Sequence, residues 1–272
     1  MNSNRQAAVA GQFYPLDAGR LRADVENHIA SAGVEPAPEQ VVGLVSPHAG
    51  YMYSGPTAGY AFARVMGKQP KRVVLLGCSH RYAIDTASVY GEGEFATPLG
   101  AFPIDELMAQ DLACETQSAT TEPHTFEHAI EVQLPFLAVA VGIVPIVPVL
   151  FGARATDWHE RLGAFLAGKL DKDDLVIAST DLSHSLPEPE ANRIDEASIA
   201  AVLKRDWQDF VAGTAAGRYS MCGSTAVATA MACCEVLGAT QWQLLDYRTS
   251  ASASGDYNRV VGYAAISMEK AA

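Results

Sequence analysis

A chain of 272 residues, 49% hydrophobic and 18% charged, is long enough to bury a sizeable core and too apolar to be a disordered segment. Its formal charge of −12, from 31 acidic against 19 basic residues, repels phosphate backbones and argues against nucleic acid as a partner. No apolar run reaches the roughly 18–20 residues that span a bilayer, the N-terminus lacks the layout of a signal peptide, and five cysteines without a CxxC pair form no disulfide framework, so a cytoplasmic protein with reduced thiols and no membrane association is expected.

In chain order, a Phe13-Tyr14-Pro15 turn leads to Asp17, which reads as the cap of a helix to about Ala30 with Leu21, Val25 and Ile29 turned inward. The run Val41 to Val45 is too short for a helix, rich in β-branched residues and closed by Pro47, so it is a strand that delivers His48. The small-residue stretch SGPTAGYAFARVM that follows fits a helix packed closely on a sheet through Ala58, Ala61, Phe62 and Val65. Arg72 to His80 repeats the pattern of the first strand, its apolar run ending in Gly77, Cys78, Ser79 and His80.

Thr86 to Tyr90 reads as a further strand, GEGEFATPLG as a hairpin-like excursion, and Asp105 as the start of another helix. Over Thr125 to Ala140 the spacing of Phe126, Ile130, Leu134 and Leu137 predicts a helix that Pro135 kinks or ends. The two prolines of IVPIVPVL (143–150) suggest an irregular or edge strand. Leu175 to His184 is a third strand of the site type, with Asp181 and His184 just past its apolar run. Amphipathic turns at 195–203 and 207–216 precede two closing strands, WQLLDY and VVGYAAIS, which have no helix between them. The expected fold is therefore an α/β sandwich, one domain over 1–272 with a central mixed β-sheet flanked by helices.

Three strands thus end in metal-capable or acid/base residues, and in open α/β sheets ligands gather outside the carboxyl ends of strands. His48, His80, Asp181 and His184 are expected to form one site. Cys222 joins them: a cysteine at a helix start feels the positive end of the helix dipole and favours thiolate. Cys233 and Cys234, among alanines, read as buried and inert, and Cys114 has no activating neighbour. His124 and His128 lie four apart, but HTFEH is not the HExxH zinc signature; His124 is either solvated or, like His128, a group supporting the site.

The ordered segments AGQFYP, SPHAGYMYSG, LLGCSH, EHAIEVQLPF, STDLSH and MCGS, over about residues 8–267, resemble the Memo family, including the bacterial AmmeMemoRadiSam system protein B. That resemblance implies the fold of the class III extradiol dioxygenases of the LigB type, which hold non-haem Fe(II) with two His and one Glu. Carried over by motif, it makes His48 and His80 metal ligands and sets Cys222 where those enzymes have their carboxylate. Asp181 and His184 then lie beside the metal with His184 as acid/base, and His128 and Tyr51 are candidates to stand behind the ligands or face the substrate. Fe(II) is the implied metal, and the softer thiolate also suits copper or zinc.

The implied function is a metal-binding, dioxygenase-like oxidoreductase acting on a small molecule. The alternative is a non-enzymatic metal- or redox-handling component, binding a small molecule or peptide and working with AMMECR-type and radical SAM proteins. A third reading, from residue types alone, is a hydrolase with Cys222 as nucleophile.

Overall fold

The computed structural model describes residues 4–118, 120–152 and 158–271. A two-residue strand, β1 (Asn4–Arg5), precedes helix α1 (Ala18–Ala32). Asp17 accepts the backbone N–H of Arg20 at 2.8 Å to start α1, and Leu21, Val25 and Ile29 are buried as their spacing requires. Strand β2 (Val41–Ser46), buried along its whole length, runs through Pro47 and His48 into α2 (Tyr51–Arg64). Glycine lets α1 and α2 approach closely: a Cβ at Gly59 would lie 2.3 Å from the carbonyl oxygen of His28.

Strand β3 (Val73–Cys78) is followed by β4 (Ala87–Val89) and by the excursion, an antiparallel hairpin of β5 (Glu94–Thr97) and β6 (Gly100–Pro103) that β1 extends to three strands. Helix α3 (Glu106–Thr116) starts at Asp105, as expected. The helix expected over 125–140 does not form as one unit. Only α4 (Leu134–Ala140) is α-helical, with Pro135 in its first turn, where its missing N–H has no partner to lose. Ahead of α4 lie two 3-10 turns, Glu122–His124 and Glu131–Gln133. Phe126, which the spacing put on the buried stripe, is exposed, while Glu127, Glu131 and Gln133 are buried. These polar side chains bond to other segments, and that requirement overrides the helical period.

Strand β7 (Ile146–Phe151) is regular and lies one strand in from the edge, between β3 and β4, which corrects the expectation from its prolines. The Pro148 carbonyl accepts the Tyr90 N–H at 3.1 Å, so the side on which its own N–H is missing faces the chain just past the three-residue β4. Helix α5 (Trp158–Lys169), strands β8 (Leu175–Ser179) and β9 (His184–Leu186), helices α6 (Glu188–Leu203), α7 (Trp207–Ala215) and α8 (Ser224–Val236), strand β10 (Gln241–Thr249), the short α9 (Ala251–Ser254) and β11 (Val260–Glu269) complete the order.

The large sheet runs β10-β11-β2-β8-β3-β7-β4, with β9 paired to β11. Its four middle strands are parallel and β10, β11 and β4 antiparallel, so the sheet is mixed as expected. Helix α8 packs on β2, β3, β7 and β8, and α2 on β2, β10 and β11. Each fully buried Val or Leu on these strands contributes roughly 1.5–3 kcal/mol, which holds the register. The register matters for function. Ser46 pairs with Ser179 and Leu76 with Ala178, so β8 sits between β2 and β3 and the three site strands end side by side in mid-sheet. Among the described residues no helix is long and apolar enough to cross a membrane.

Candidate metal centre

His48 leaves β2 into a fully polar cradle. Its backbone N–H donates to Asp181 Oδ1 at 2.8 Å, and its ring Nδ1 lies 3.0 Å from Ser179 Oγ. That serine spends its one proton on the carbonyl of Ala129 and also accepts from Gln133 Nε2 at 2.9 Å, so Nδ1 of His48 must be the donor. Gln133 cannot be turned round, because the same Nε2 donates to the carbonyl of Pro47 at 2.9 Å. The ring is thereby fixed through Nδ1 with Nε2 turned to the cluster, 3.2 Å from Cys222 Sγ.

His80, just past β3, is fixed in the same sense by a carboxylate. Glu127 accepts its backbone N–H at 2.7 Å and its Nδ1–H at 2.9 Å, and also takes the backbone N–H groups of His128 and Ala129 at 2.8 and 3.0 Å. Burial alone would raise the Glu127 pKa, but the bonds from His80 outweigh it and hold the carboxyl at about 2. His80 Nε2 is left facing sulfur, 3.6 Å from Cys78 Sγ.

Cys222 stands just before α8 and takes the thiolate form. The hydrogen bond from Cys78 lowers its pKa, burial opposes, and the positive charge of His48 adds to the lowering. Cys78 is the reverse case: its bond to Cys222 and its burial keep it a thiol. The backbone N–H of Asp181 adds a further donor to Cys222 Sγ at 3.2 Å. Burial would depress both imidazoles, but the thiolate, with Asp181 beside His48 and Glu127 beside His80, raises them to about 9 and about 10.

The donor atoms of His48, Cys78, His80 and Cys222 all lie within 4.8 Å of one another. The structure thus brings together the three residues expected as ligands and adds Cys78. Of the other expected residues, Asp181 is buried against the His48 backbone, and burial pushes its carboxyl above the usual range. His128 stacks on His80 with ring centroids 4.4 Å apart and faces His48 edge-on at 5.3 Å; burial and the charge of His48 lower it to about 4, so it is neutral. His184 lies on β9, exposed, with Nδ1–H donating to the carbonyl of Leu182 at 2.9 Å; it is near enough to Asp181 to favour the carboxylate but is not one of the four clustered donors. The Tyr51 hydroxyl donates to the carbonyl of Val132 at 2.7 Å and its ring packs on Phe136, so it supports the segment beneath the site. His124 is buried, bonded to the Ser88 carbonyl at 2.9 Å.

A cleft of about 490 Å³ reaches the centre at His80 and His128 and is walled by Ala8, Val9, Gln12 and Phe13. That wall is pinned by buried Glu131, which accepts Arg5 Nη1 at 2.6 Å, the Ala8 and Val9 N–H groups at 2.8 and 3.0 Å, and the Tyr14 hydroxyl at 2.6 Å. Glu127, Gln133 and Ser179 were not anticipated as site residues. For the first two the available signal was polar residues crowded among the apolar ones of EHAIEVQLPF, unlike a solvated helix face.

The donors suit a transition metal. Two imidazoles are held through Nδ1–H with Nε2 turned to the cluster, where it would ligate once binding of an ion releases its proton, and a thiolate lies within reach of both, the chemistry of a borderline-soft ion such as iron(II), copper or zinc.

Comparison with known proteins relates this chain to a family. The family described as Memo-like protein matches residues 5–267. A MEMO1 family protein of Desulfurococcus amylolyticus is 36% identical over 277 residues, covering 96% of this chain and 98% of its own. MEMO1 family protein MK0963 of Methanopyrus kandleri is likewise 36% identical with the same coverage, and a MEMO1 family protein of Aquifex aeolicus is 34% identical, covering 95% and 97%. The crystal structure of uncharacterized protein JW3007 from Escherichia coli K12 shares the fold at 14% identity, with a TM-score of 0.51 over 82% of this chain and 99% of that one.

Proposed function

This chain belongs to the Memo family, and from that premise we propose that it is a metal-dependent oxidoreductase, dioxygenase-like in its resources, that acts on a small molecule. The observation that carries the reading is the convergence of the donor atoms of His48, His80 and Cys222, with His80 also lining a cleft of about 490 Å³, a volume that suits a small-molecule substrate. These three residues would hold the ion, iron(II) first and copper or zinc next. The bound ion supplies Lewis-acid or redox chemistry.

The chain's own residues supply the rest. Ser179 and Glu127 orient the two imidazoles through their Nδ1–H groups. Neutral His128, stacked on His80 at the cleft with Nδ1 3.2 Å from Glu127 Oε1, can accept a hydrogen bond from a substrate hydroxyl at Nε2 without adding charge. His184 donates Nδ1–H to the carbonyl of Leu182 and keeps Nε2 free, the atom at which it would take a proton from the substrate. Phe13, 4.7 Å from the His128 ring, gives the cleft an apolar wall for an aromatic substrate.

Oxygen uptake by anaerobically iron-loaded protein with catechols and other phenols tests this. The reading expects uptake that His184→Gln abolishes while metal content stays nearly intact. Uptake no greater than that of His48→Ala contradicts it. A second reading, a non-enzymatic metal-handling component of a multi-protein system, is favoured by one observation, the presence of Cys78 as a further soft donor. Tight metal retention without turnover over a broad substrate screen would select it.

A further inference from the structure

The sequence holds three buried cysteines outside the proposed ligand set, and one of them differs in kind. Cys233 and Cys234 lie inside α8 among alanines, and burial first of all pushes their thiols up. Cys78 is the last residue of β3, where the three site strands end together, and its sulfur faces the cluster. We infer that Cys78 is a fourth protein donor to the ion and biases the site toward thiophilic four-coordinate ions, Zn(II) or Cu(I). This rests on the reading that His48, His80 and Cys222 hold a metal.

The spacing supports it. Donors sharing one four-coordinate ion through bonds of about 2.0–2.3 Å lie roughly 3.5 Å apart. Cys222 Sγ to His48 Nε2 is 3.2 Å, Cys78 Sγ to His80 Nε2 is 3.6 Å, and all four donors fall within 4.8 Å. Chemically, once binding of the ion releases the Cys78 proton, two thiolates with two imidazoles form a soft set that matches zinc or cuprous copper better than the two-imidazole, one-carboxylate set of oxygen-activating iron. Four protein donors also surround the ion, whereas three leave it a position for substrate. Cys78 therefore selects the metal and controls whether that position is open.

Zinc-edge X-ray absorption on the unmodified full-length protein, stripped with chelator and reloaded with Zn(II), counts the sulfur neighbours directly. Two are expected; one sulfur overturns the role of Cys78 and leaves the three-residue site standing. In parallel, Co(II) is titrated into the wild type, Cys78→Ser, Cys78→Ala and Cys222→Ser. The thiolate-to-cobalt charge-transfer band should fall to about half in both Cys78 variants, with Zn(II) affinity reduced more than about tenfold. A band and affinity unchanged in both Cys78 variants and lost in Cys222→Ser contradict the inference alone. Failure of the wild type to take up either ion overturns the metal-site reading, and the role of Cys78 with it.

Discussion

Both oxygens of Glu127 hold His80, one through its backbone N–H at 2.7 Å and the other through ring Nδ1 at 2.9 Å. The carboxylate is buried and the imidazole reaches the cleft, so the acid is a fixed part of the scaffold that aims a ligand. Glu127→Gln should weaken metal binding by about 10–100-fold, the usual loss when a carboxylate behind a ligating histidine is removed. Competition titration with a zinc chelator measures this, and an unchanged affinity would mean that His80 is not held for ligation.

Ser179 plays the same part for His48 with a neutral group. Ser179→Ala leaves the His48 Nδ1–H, a Gln133 N–H and the Ala129 carbonyl without this buried partner, and each such loss costs about 1–3 kcal/mol. Urea unfolding should show a stability drop of that order, accompanied by weaker metal binding. A drop in neither quantity would dissolve the tautomer assignment.

The cleft wall depends on a buried ion pair. Arg5 donates to Glu131 at 2.6 Å and to the carbonyls of His124 and Glu127, also at 2.6 Å, tying the N-terminal arm to the segment that aims His80. Glu131→Gln leaves the Arg5 charge buried with no anionic partner, a change that costs about 3–5 kcal/mol. Limited proteolysis should then cut ahead of Pro15 at rates well above those of the wild type, and equal rates would show that the arm is held by other contacts.

Much of this was legible from residues 41–53, 72–80 and 175–184, because short β-branched runs closed by Pro or Gly announce strand ends whatever the tertiary context. What joins them was not. That β8 inserts between β2 and β3 is set by long-range pairing, such as Ser46 with Ser179, which no local pattern encodes. The segment 125–133 misled in a different way: Phe126, Ile130 and Leu134 mimic a helical stripe, yet the backbone is fixed by what Glu127, Glu131 and Gln133 bond to in other parts of the chain. Cys78 was visible in LLGCSH, but only the geometry separates a ligand-facing thiol at a strand end from the inert ones in α8.

His124 supplies a pH signature away from the proposed ligands. Burial first, and then the Arg5 charge, lower its pKa from 6.5 to about 4, so below pH 6.5 the unfolded chain binds a proton that the folded one refuses. Stability from this group is therefore full above pH 6.5 and is lost as pH falls to about 4, by on the order of 3 kcal/mol. His124→Gln, which keeps a donor for the Ser88 carbonyl, should flatten the stability profile across that window. The same slope in wild type and variant would refute the assignment.

The central claim is that His48, His80 and Cys222 form a metal site, and metal content tests it most directly. Elemental analysis of protein purified without oxygen or chelators should find one transition-metal ion per chain in the wild type and in His184→Gln, and almost none in His48→Ala, His80→Ala or Cys222→Ala. A wild type without bound metal even after reconstitution, or a Cys222→Ala variant as fully loaded as the wild type, would contradict it.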